Sequence, residues 1–242
     1  MKKGIYILPN LFTTASLFCG FYAIIASTRG DFFPAAVSIL IAGVLDGLDG
    51  RIARFTNTTS KFGSEYDSLS DLVSFGVAPA ILAYTWALLP FGRYGWLAAF
   101  LFVACGALRL ARFNIQIGII ESRVFNGLPI PAAAFVIASS VMFFYYTGGT
   151  GHFYNISILL TVVALALLMV SNVKYYSFKD LDYFSRKPFI TLVLVLLIFV
   201  VIVLEPPLMI FTFAVGYGIS GPVWSSYKLI KKRQYRKKEL HS

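Results

Sequence analysis

Apolar residues form eight long runs along the 242-residue chain, separated by short polar or basic segments. The runs cover about 9–28, 33–54, 66–90, 94–118, 128–147, 153–173, 188–204 and 207–228. Runs of roughly 18 or more mainly apolar residues predict transmembrane helices. Only Glu205–Pro207 separates the last two, which therefore form either two spans or one bent hairpin that does not cross. The pattern predicts a membrane protein with six to eight helices.

Composition and charge support a membrane location and give an orientation. The chain is 58% hydrophobic and 13% charged, against about 25% charged in typical soluble domains. Nineteen of the 21 Lys and Arg residues fall on one side of the predicted spans, and only Arg29 and Arg93 fall on the other. Basic residues concentrate on the cytoplasmic side, so both termini are predicted to be cytoplasmic, in the cell's inner membrane. The net charge of +10 thus reflects topology, and no nucleic-acid partner is expected.

The second apolar run ends in an acidic stretch, LDGLDG at 45–50, that suggests either turns or a helix. The chain has eleven acidic residues, and four aspartates lie within 26 positions: Asp46, Asp49, Asp67 and Asp71. In helices, the first two would lie about 60° apart around the axis and the last two about 40° apart. Two neighbouring helices joined by the polar segment 55–62 would then direct four carboxylates, the aspartate cluster, into one space.

Ionised carboxylates at a membrane are costly and need partners. Arg51 and Arg54 offset part of the charge, and a divalent cation would balance the rest. All-oxygen ligands favour Mg²⁺, Mn²⁺ or Ca²⁺, and four carboxylates can hold two ions around a phosphate. Gly47, Gly50 and Gly63 would leave room for a phosphate or nucleotide. The alternative is that the aspartates only cap helix ends.

The complete motif is Asp46-x2-Asp49-Gly50-x2-Ala53-Arg54-x8-Gly63-x3-Asp67-x3-Asp71. It resembles the CDP-alcohol phosphotransferase family, whose members transfer a phosphoryl-alcohol group from a CDP-linked donor to a hydroxyl and release CMP. The resemblance implies an all-α membrane fold with a six-helix core (1–180), here extended by two helices (181–228) and a basic cytoplasmic tail (229–242). It also implies a homodimer.

The resemblance assigns roles to the motif. Asp46, Asp49 and Asp67 would bind metal, Mg²⁺ or Mn²⁺ with Ca²⁺ as a non-productive occupant, and Asp71 would be a ligand and the candidate base. The CDP-diacylglycerol site would be lined by Gly50, Ala53, Arg54 and Gly63. From the residues themselves, Asn10 and Thr13 share one side of the first span, where they would either hydrogen-bond a phosphate or cap the helix start.

The segments LPNLFTTASLFCGFYAI, LRLARFN and FNGLPIPAAA resemble the family members whose acceptor is L-serine. Serine's carboxylate needs a cation, and Arg109 and Arg112, near the cytoplasmic end of the fourth span, are predicted to clamp it. Arg123 and Asn126 would complete this serine site. Alternatively, these arginines merely flank the membrane on its basic side.

The sequence also allows alternative acceptors and an alternative class of function. Glycerol 3-phosphate or an inositol phosphate would be alternative acceptors for the same chemistry, although both would call for more basic residues near the cavity. An ion transporter needs polar groups across the membrane depth, whereas the four carboxylates cluster at one face. The chain's two histidines, His152 on the opposite side and His241 in the tail, are not expected to reach the site, so a carboxylate must act as base.

Overall fold

Long helices make up nearly all of the structure, a computed structural model that describes residues 7–55, 60–116, 124–176 and 204–239, with 193 and 196. The helices are α1 (Ile7–Arg29), α2 (Phe32–Phe55), α3 (Lys61–Asp71), α4 (Ala78–Ala83), α5 (Arg93–Gln116), α6 (Ile130–Tyr146), α7 (Ile156–Val170) and α8 (Pro206–Glu239). Five helical spans are long and apolar enough to cross a membrane: Pro9–Arg29, Phe32–Ile52, Lys61–Phe91, Arg93–Ile115 and Pro206–Lys228. The prediction of an α-helical membrane protein is confirmed.

The structure agrees only in part with the predicted number of membrane spans. Helices α6 and α7 coincide with predicted spans, but at 17 and 15 residues they are shorter than the other spans. The predicted span 188–204 lies outside the described residues except at three positions, 193, 196 and 204. Helix α8 begins at Pro206, a position that suits proline because the first turn of a helix needs no N–H bond. It continues to Glu239, so no break separates the predicted eighth span from the basic tail.

One continuous helical span carries half of the aspartate cluster. It begins at Lys61, five residues before the predicted third span, and Ser60 caps it by accepting a hydrogen bond from the Gly63 amide at 3.0 Å. After α3 it passes through π-helical turns at Leu72–Val77 and Tyr84–Leu88 and ends at Phe91. Its 31 residues give a length of about 46 Å, more than the ~30 Å of a bilayer core. The span is therefore longer than a bilayer core is thick, and its polar first turns are those of α3.

A small antiparallel sheet joins the loops after α5 and α7. Strand β1 (Val124–Asn126) pairs with β2 (Lys174–Tyr176), with Phe125 opposite Tyr175. The sheet is a minor, unpredicted addition to an otherwise α-helical fold. Three-residue strands are too short for an alternating pattern, and their pairing joins segments 50 positions apart.

Helix α1 packs closely between α2 and the span after α3 because small residues line the contacts. A Cβ added to Gly20 would lie 2.6 Å from the Cα of Ser74. Serine side chains also cross these contacts, since Ser16 donates to the Ala42 carbonyl at 3.0 Å and Ser74 to the Ser16 carbonyl at 3.1 Å. Close packing of small residues and interhelical hydrogen bonds are typical of membrane helices. They fix α1 against both helices that carry the aspartates.

Candidate active site

The four carboxylates of the aspartate cluster meet between α2 and α3. Asp46, Asp49 and Asp67 each present an oxygen within 4.8 Å of the other two. The side chain of Asp71 is in hydrogen-bonding contact with that of Asp46. The LDGLDG stretch is helical throughout, so turn propensity was the wrong guide here. Both helices therefore direct carboxylates into one space, as expected from helical spacing.

The chemistry of this cluster suits a divalent cation. At an effective dielectric constant of about 20, two carboxylates 4.8 Å apart repel by about 3.5 kcal/mol. Asp49 is buried, and within the described ranges the buried Oδ1 of Asp67 has no hydrogen-bond partner. An unpaired buried oxygen and unbalanced negative charge are both relieved by a hard cation with oxygen ligands. The residues present therefore fit the metal that the resemblance implies.

Helix α1 supplies polar groups to the same space. Thr13, which is buried, donates a hydrogen bond to Asp49 Oδ2 at 2.7 Å. This bond orients the carboxylate, a role that differs from the phosphate contact predicted for Thr13. Asn10 Oδ1 lies 3.4 Å from a Cβ added at Gly63, so Asn10 faces the start of α3. Both residues predicted on α1 thus lie beside the aspartate helices.

The glycines of the motif differ in their surroundings. A Cβ added at Gly63 would lie 3.1 Å from Ser60 Oγ, so this position is constrained by the protein itself. At Gly47 and Gly50 an added Cβ would meet no described atom within 4 Å. The space there is open, as required if a ligand approaches the backbone. The side chains of Ala53 and Arg54, at the end of α2, lie outside the described set, and their assignment to the CDP site stays a prediction.

The predicted arginine clamp is not formed in the structure. Arg112 donates from Nη2 to the Asn126 carbonyl at 2.7 Å and from Nη1 to the Val170 carbonyl at 3.1 Å. Longer bonds of 3.3 Å reach the carbonyls of Met169 and Ser171. These carbonyls are at the end of α7, where a helix has no internal donors for its last four. Arg112 therefore caps α7 and ties it to β1.

Arg109, one turn earlier on α5, is placed differently. Its side chain is 7% exposed, and its Nε has no hydrogen-bond partner among the described residues. The charges of Asp71 and of Tyr217 in α8 both act on its guanidinium. Arg109 is thus a buried cation with spare donor capacity, under the electrostatic influence of Asp71. Arg123 lies outside the described residues, and Asn126 contributes its backbone carbonyl to Arg112.

Sequence reasoning missed several polar contacts around the site. Asn114 on α5 donates to Ser68 Oγ on α3 at 3.0 Å, directly after the ligand candidate Asp67. The hydroxyls of Thr14 and Tyr66 lie 2.9 Å apart and link α1 to α3. Asn114 belongs to the LRLARFN segment noted above, but nothing in its spacing indicated a partner on α3.

Comparison with known proteins agrees with the geometry. The profile of the family described as CDP-alcohol phosphatidyltransferase matches residues 6–170. CDP-diacylglycerol–serine O-phosphatidyltransferases of Helicobacter pylori are similar: that of strain 26695 is 42% identical over 200 residues, covering 81% of this chain and 83% of the relative. That of strain J99 is 40% identical over 234 residues, covering 93% and 95%. An archaetidylserine synthase of Methanothermobacter thermautotrophicus is 41% identical over 171 residues, covering 69% of each chain.

The match contains the whole aspartate motif and, in the described part of the chain, the four spans and two shorter helices that precede β2. With four carboxylates gathered at the ends of two membrane helices and a family match over more than half its length, the chain belongs to the CDP-alcohol phosphatidyltransferase family.

Proposed function

We propose that this protein transfers the phosphatidyl group of CDP-diacylglycerol to the hydroxyl of L-serine and releases phosphatidylserine and CMP. The observation that carries the proposal is the aspartate cluster, which lies within the family match. The serine acceptor is supported by the relatives, because serine recurs in the names of enzymes from a bacterium and an archaeon. Family membership in an enzyme class removes the ion-transporter alternative.

Asp46, Asp49 and Asp67 would hold the cation, and Asp71, whose side chain is hydrogen-bonded to that of Asp46, would be a further ligand. When bound, Mg²⁺ or Mn²⁺, as two ions in our proposal, supplies positive charge that stabilises the pyrophosphate and the departing CMP. The residues of α1 support this arrangement, since Thr13 fixes the Asp49 carboxylate. The open space at Gly47 and Gly50 would admit the nucleotide, with Asn10, Ala53, Arg54 and Gly63 as neighbours.

The reaction is a displacement at the phosphorus that bears diacylglycerol. The serine hydroxyl oxygen forms the new bond to phosphorus, and the bond to the bridging oxygen of CMP breaks. The serine proton passes to Asp71, the candidate base, as attack proceeds. The ring of His152 contacts the Thr85 carbonyl at 3.0 Å. Thr85 is about 20 Å from Asp71 along the helical span that holds both, so His152 cannot take this proton.

The acceptor must be held beside that base. Arg109 is suited to bind the serine carboxylate because it is a buried guanidinium whose Nε has no partner among the described residues and which interacts electrostatically with Asp71. Guanidinium and carboxylate groups pair with two parallel hydrogen bonds. Arg123 and Asn126 remain proposed contributors, whereas the bonds of Arg112 to carbonyls favour a structural role for it.

The membrane arrangement follows from charge. We place the aspartate cluster and both termini on the cytoplasmic side of the inner membrane, where the basic residues concentrate. The acyl chains of the donor would stay in the bilayer while its nucleotide enters the site from the cytoplasm. A homodimer is part of the proposal.

The test is a CMP-release assay with purified protein, CDP-diacylglycerol and Mn²⁺ or Mg²⁺, using L-serine, glycerol 3-phosphate and inositol phosphate as acceptors. We expect CMP only with serine, and loss of at least about a hundredfold in Asp71→Asn. Asp31→Asn is the matched control, because Asp31 is an exposed aspartate in the turn between α1 and α2. Release with glycerol 3-phosphate alone would reassign the acceptor, and no release with any acceptor would refute the function.

A further inference from the structure

Helix α1 joins the two helices that carry the aspartates through one residue, Thr13. The Thr13 hydroxyl donates a hydrogen bond to Asp49 Oδ2 on α2 at 2.7 Å. The Thr13 backbone carbonyl accepts a hydrogen bond from Ser70 Oγ on α3 at 3.1 Å. All three residues are buried, with exposed fractions between 2% and 6%. Thr13 therefore makes a buried bond to each helix of the aspartate cluster.

A second pair of bonds, arranged in the same way, lies one turn further along α1. Ser16 Oγ donates to the Ala42 carbonyl on α2 at 3.0 Å, and the Ser16 carbonyl accepts from Ser74 Oγ at 3.1 Å. Ser16 and Ser74 are also buried. The second pair holds α2 by a backbone carbonyl, whereas Thr13 holds it by the carboxylate of a candidate metal ligand. The first pair of bonds thus acts on the site, and the second acts only on the helices.

The bonds of Thr13 bear on the spacing between carboxylates that belong to different helices. Asp49 on α2 and Asp67 on α3 each present an oxygen within 4.8 Å of the other. Two ionised carboxylates repel each other at this distance, so other groups must keep them together before a cation binds. The Thr13 hydroxyl holds the Asp49 carboxylate, and the bond from Ser70 holds α3 to the same residue, three positions after Asp67. A hydrogen bond to a carboxylate is also roughly twice as strong as one between neutral groups.

We propose that Thr13 is a positioning residue of the metal centre. It holds the Asp49 carboxylate and, through Ser70, the helix of Asp67 at the spacing that a divalent cation requires. Groups that hydrogen-bond to metal ligands orient them, and their loss typically weakens metal binding about 10–100-fold. Helix α1, which contains no acidic residue, thereby becomes the third helix of the centre. This inference rests on the proposed function, in which the aspartates hold a divalent cation.

The test is Mn²⁺ binding to full-length protein in detergent without substrates, measured from the electron paramagnetic resonance signal of free Mn²⁺. We expect Thr13→Val, which keeps the shape of the side chain but cannot donate, to raise the Kd for Mn²⁺ about 10–100-fold. Thr13→Ser keeps the hydroxyl and should stay within about threefold of wild type. Ser16→Ala is the matched control, because it removes a bond between α1 and α2 but leaves the bond to Asp49 in place. Its Kd should stay within about twofold of wild type.

Thermal unfolding separates positioning from general stability. Thr13→Val and Ser16→Ala should both lower the Tm, since each loses one buried hydrogen bond between helices, but only Thr13→Val should change the Kd. An unchanged Kd in Thr13→Val, or an equal rise in Ser16→Ala, would overturn the inference. If Thr13→Val does not yield folded protein, Ser70→Ala carries the test with Ser74→Ala as its control. The Kd should then rise at least about threefold in the first variant only, and equal values in the two would overturn the inference.

Kinetics distinguish this role from the phosphate contact predicted for Thr13. Saturating Mn²⁺ should restore the kcat of Thr13→Val to within about threefold of wild type, because the defect lies in metal binding. A low kcat that persists at saturating Mn²⁺, together with a wild-type Kd for Mn²⁺, would overturn the inference in favour of the phosphate contact. Wild-type protein that binds no Mn²⁺ would instead refute the cation in the proposed function, so the two failures are distinguishable.

Discussion

Replacing Arg112 by lysine distinguishes the cap at the end of α7 from the predicted serine clamp. The guanidinium makes two shorter bonds, 2.7 Å to the Asn126 carbonyl and 3.1 Å to the Val170 carbonyl. These acceptors belong to different segments, and a lysine ammonium at the end of a flexible chain should keep one of them. The loss of one hydrogen bond from a charged donor destabilises by about 1.5–3 kcal/mol. For a chain of this size that corresponds to a fall in Tm of about 3–12 °C.

The assay is thermal unfolding in detergent, followed by serine kinetics at a temperature where the variant is folded. We expect the lower Tm with the KM for serine within about twofold of wild type. Arg93→Lys is the control: Arg93 is exposed at the start of α5 and lies over the Tyr94 ring at 5.3 Å, a contact that lysine can keep. An unchanged Tm with a serine KM raised tenfold or more in Arg112→Lys would refute the capping role and support the clamp.

Three further predictions follow from the packing and the site. Gly20→Ala should lower the free energy of unfolding by about 1–3 kcal/mol, because the new Cβ would lie 2.6 Å from Ser74 Cα. Gly50→Ala, whose Cβ would meet no described atom within 4 Å, should keep the wild-type Tm and lose CMP release. A lower Tm in Gly50→Ala would contradict the interpretation that the space at Gly50 is kept for a ligand. EDTA should abolish CMP release and lower the Tm, and Mn²⁺ should restore both; full activity in EDTA would exclude the cation. Burial raises the pKa of Tyr175 to about 12 from its ordinary value of 10, so its contribution to stability should be complete below pH 10 and lost as the pH rises through 12. Unfolding measured against pH should show this loss, and Tyr175→Phe should lack it.

Much of the site was accessible from the sequence because its chemistry is local. Asp46 and Asp49 lie within one turn, as do Asp67 and Asp71, and helical geometry alone puts each pair on one side. Charged residues are rare in this apolar chain, so four carboxylates near the ends of two predicted membrane helices were conspicuous. Their spacing revealed the resemblance to the family. Hydropathy likewise located the membrane helices, since the bilayer imposes a minimum length on each span.

What required the tertiary structure was the pairing of groups far apart in the chain. Arg109 and Arg112 look alike in the sequence, one turn apart on one helix. The fold buries the first, with its Nε unpaired among the described residues, and directs the second to the carbonyls at the end of α7. The spacing of the two arginines predicts neither environment, because each environment depends on which helix end and which strand pack beside α5.

The same holds for the last helix. From the sequence, Gly218, Gly221 and Pro222 appear only as weak points in an apolar run, and Tyr175 appears as a loop residue. In the folded chain they form one contact, since the carbonyl that Pro222 leaves unpaired is satisfied by a hydroxyl 43 positions away. Local propensity determined the helices and the acidic pairs of this protein. Long-range satisfaction of buried polar groups decided which side chains surround them.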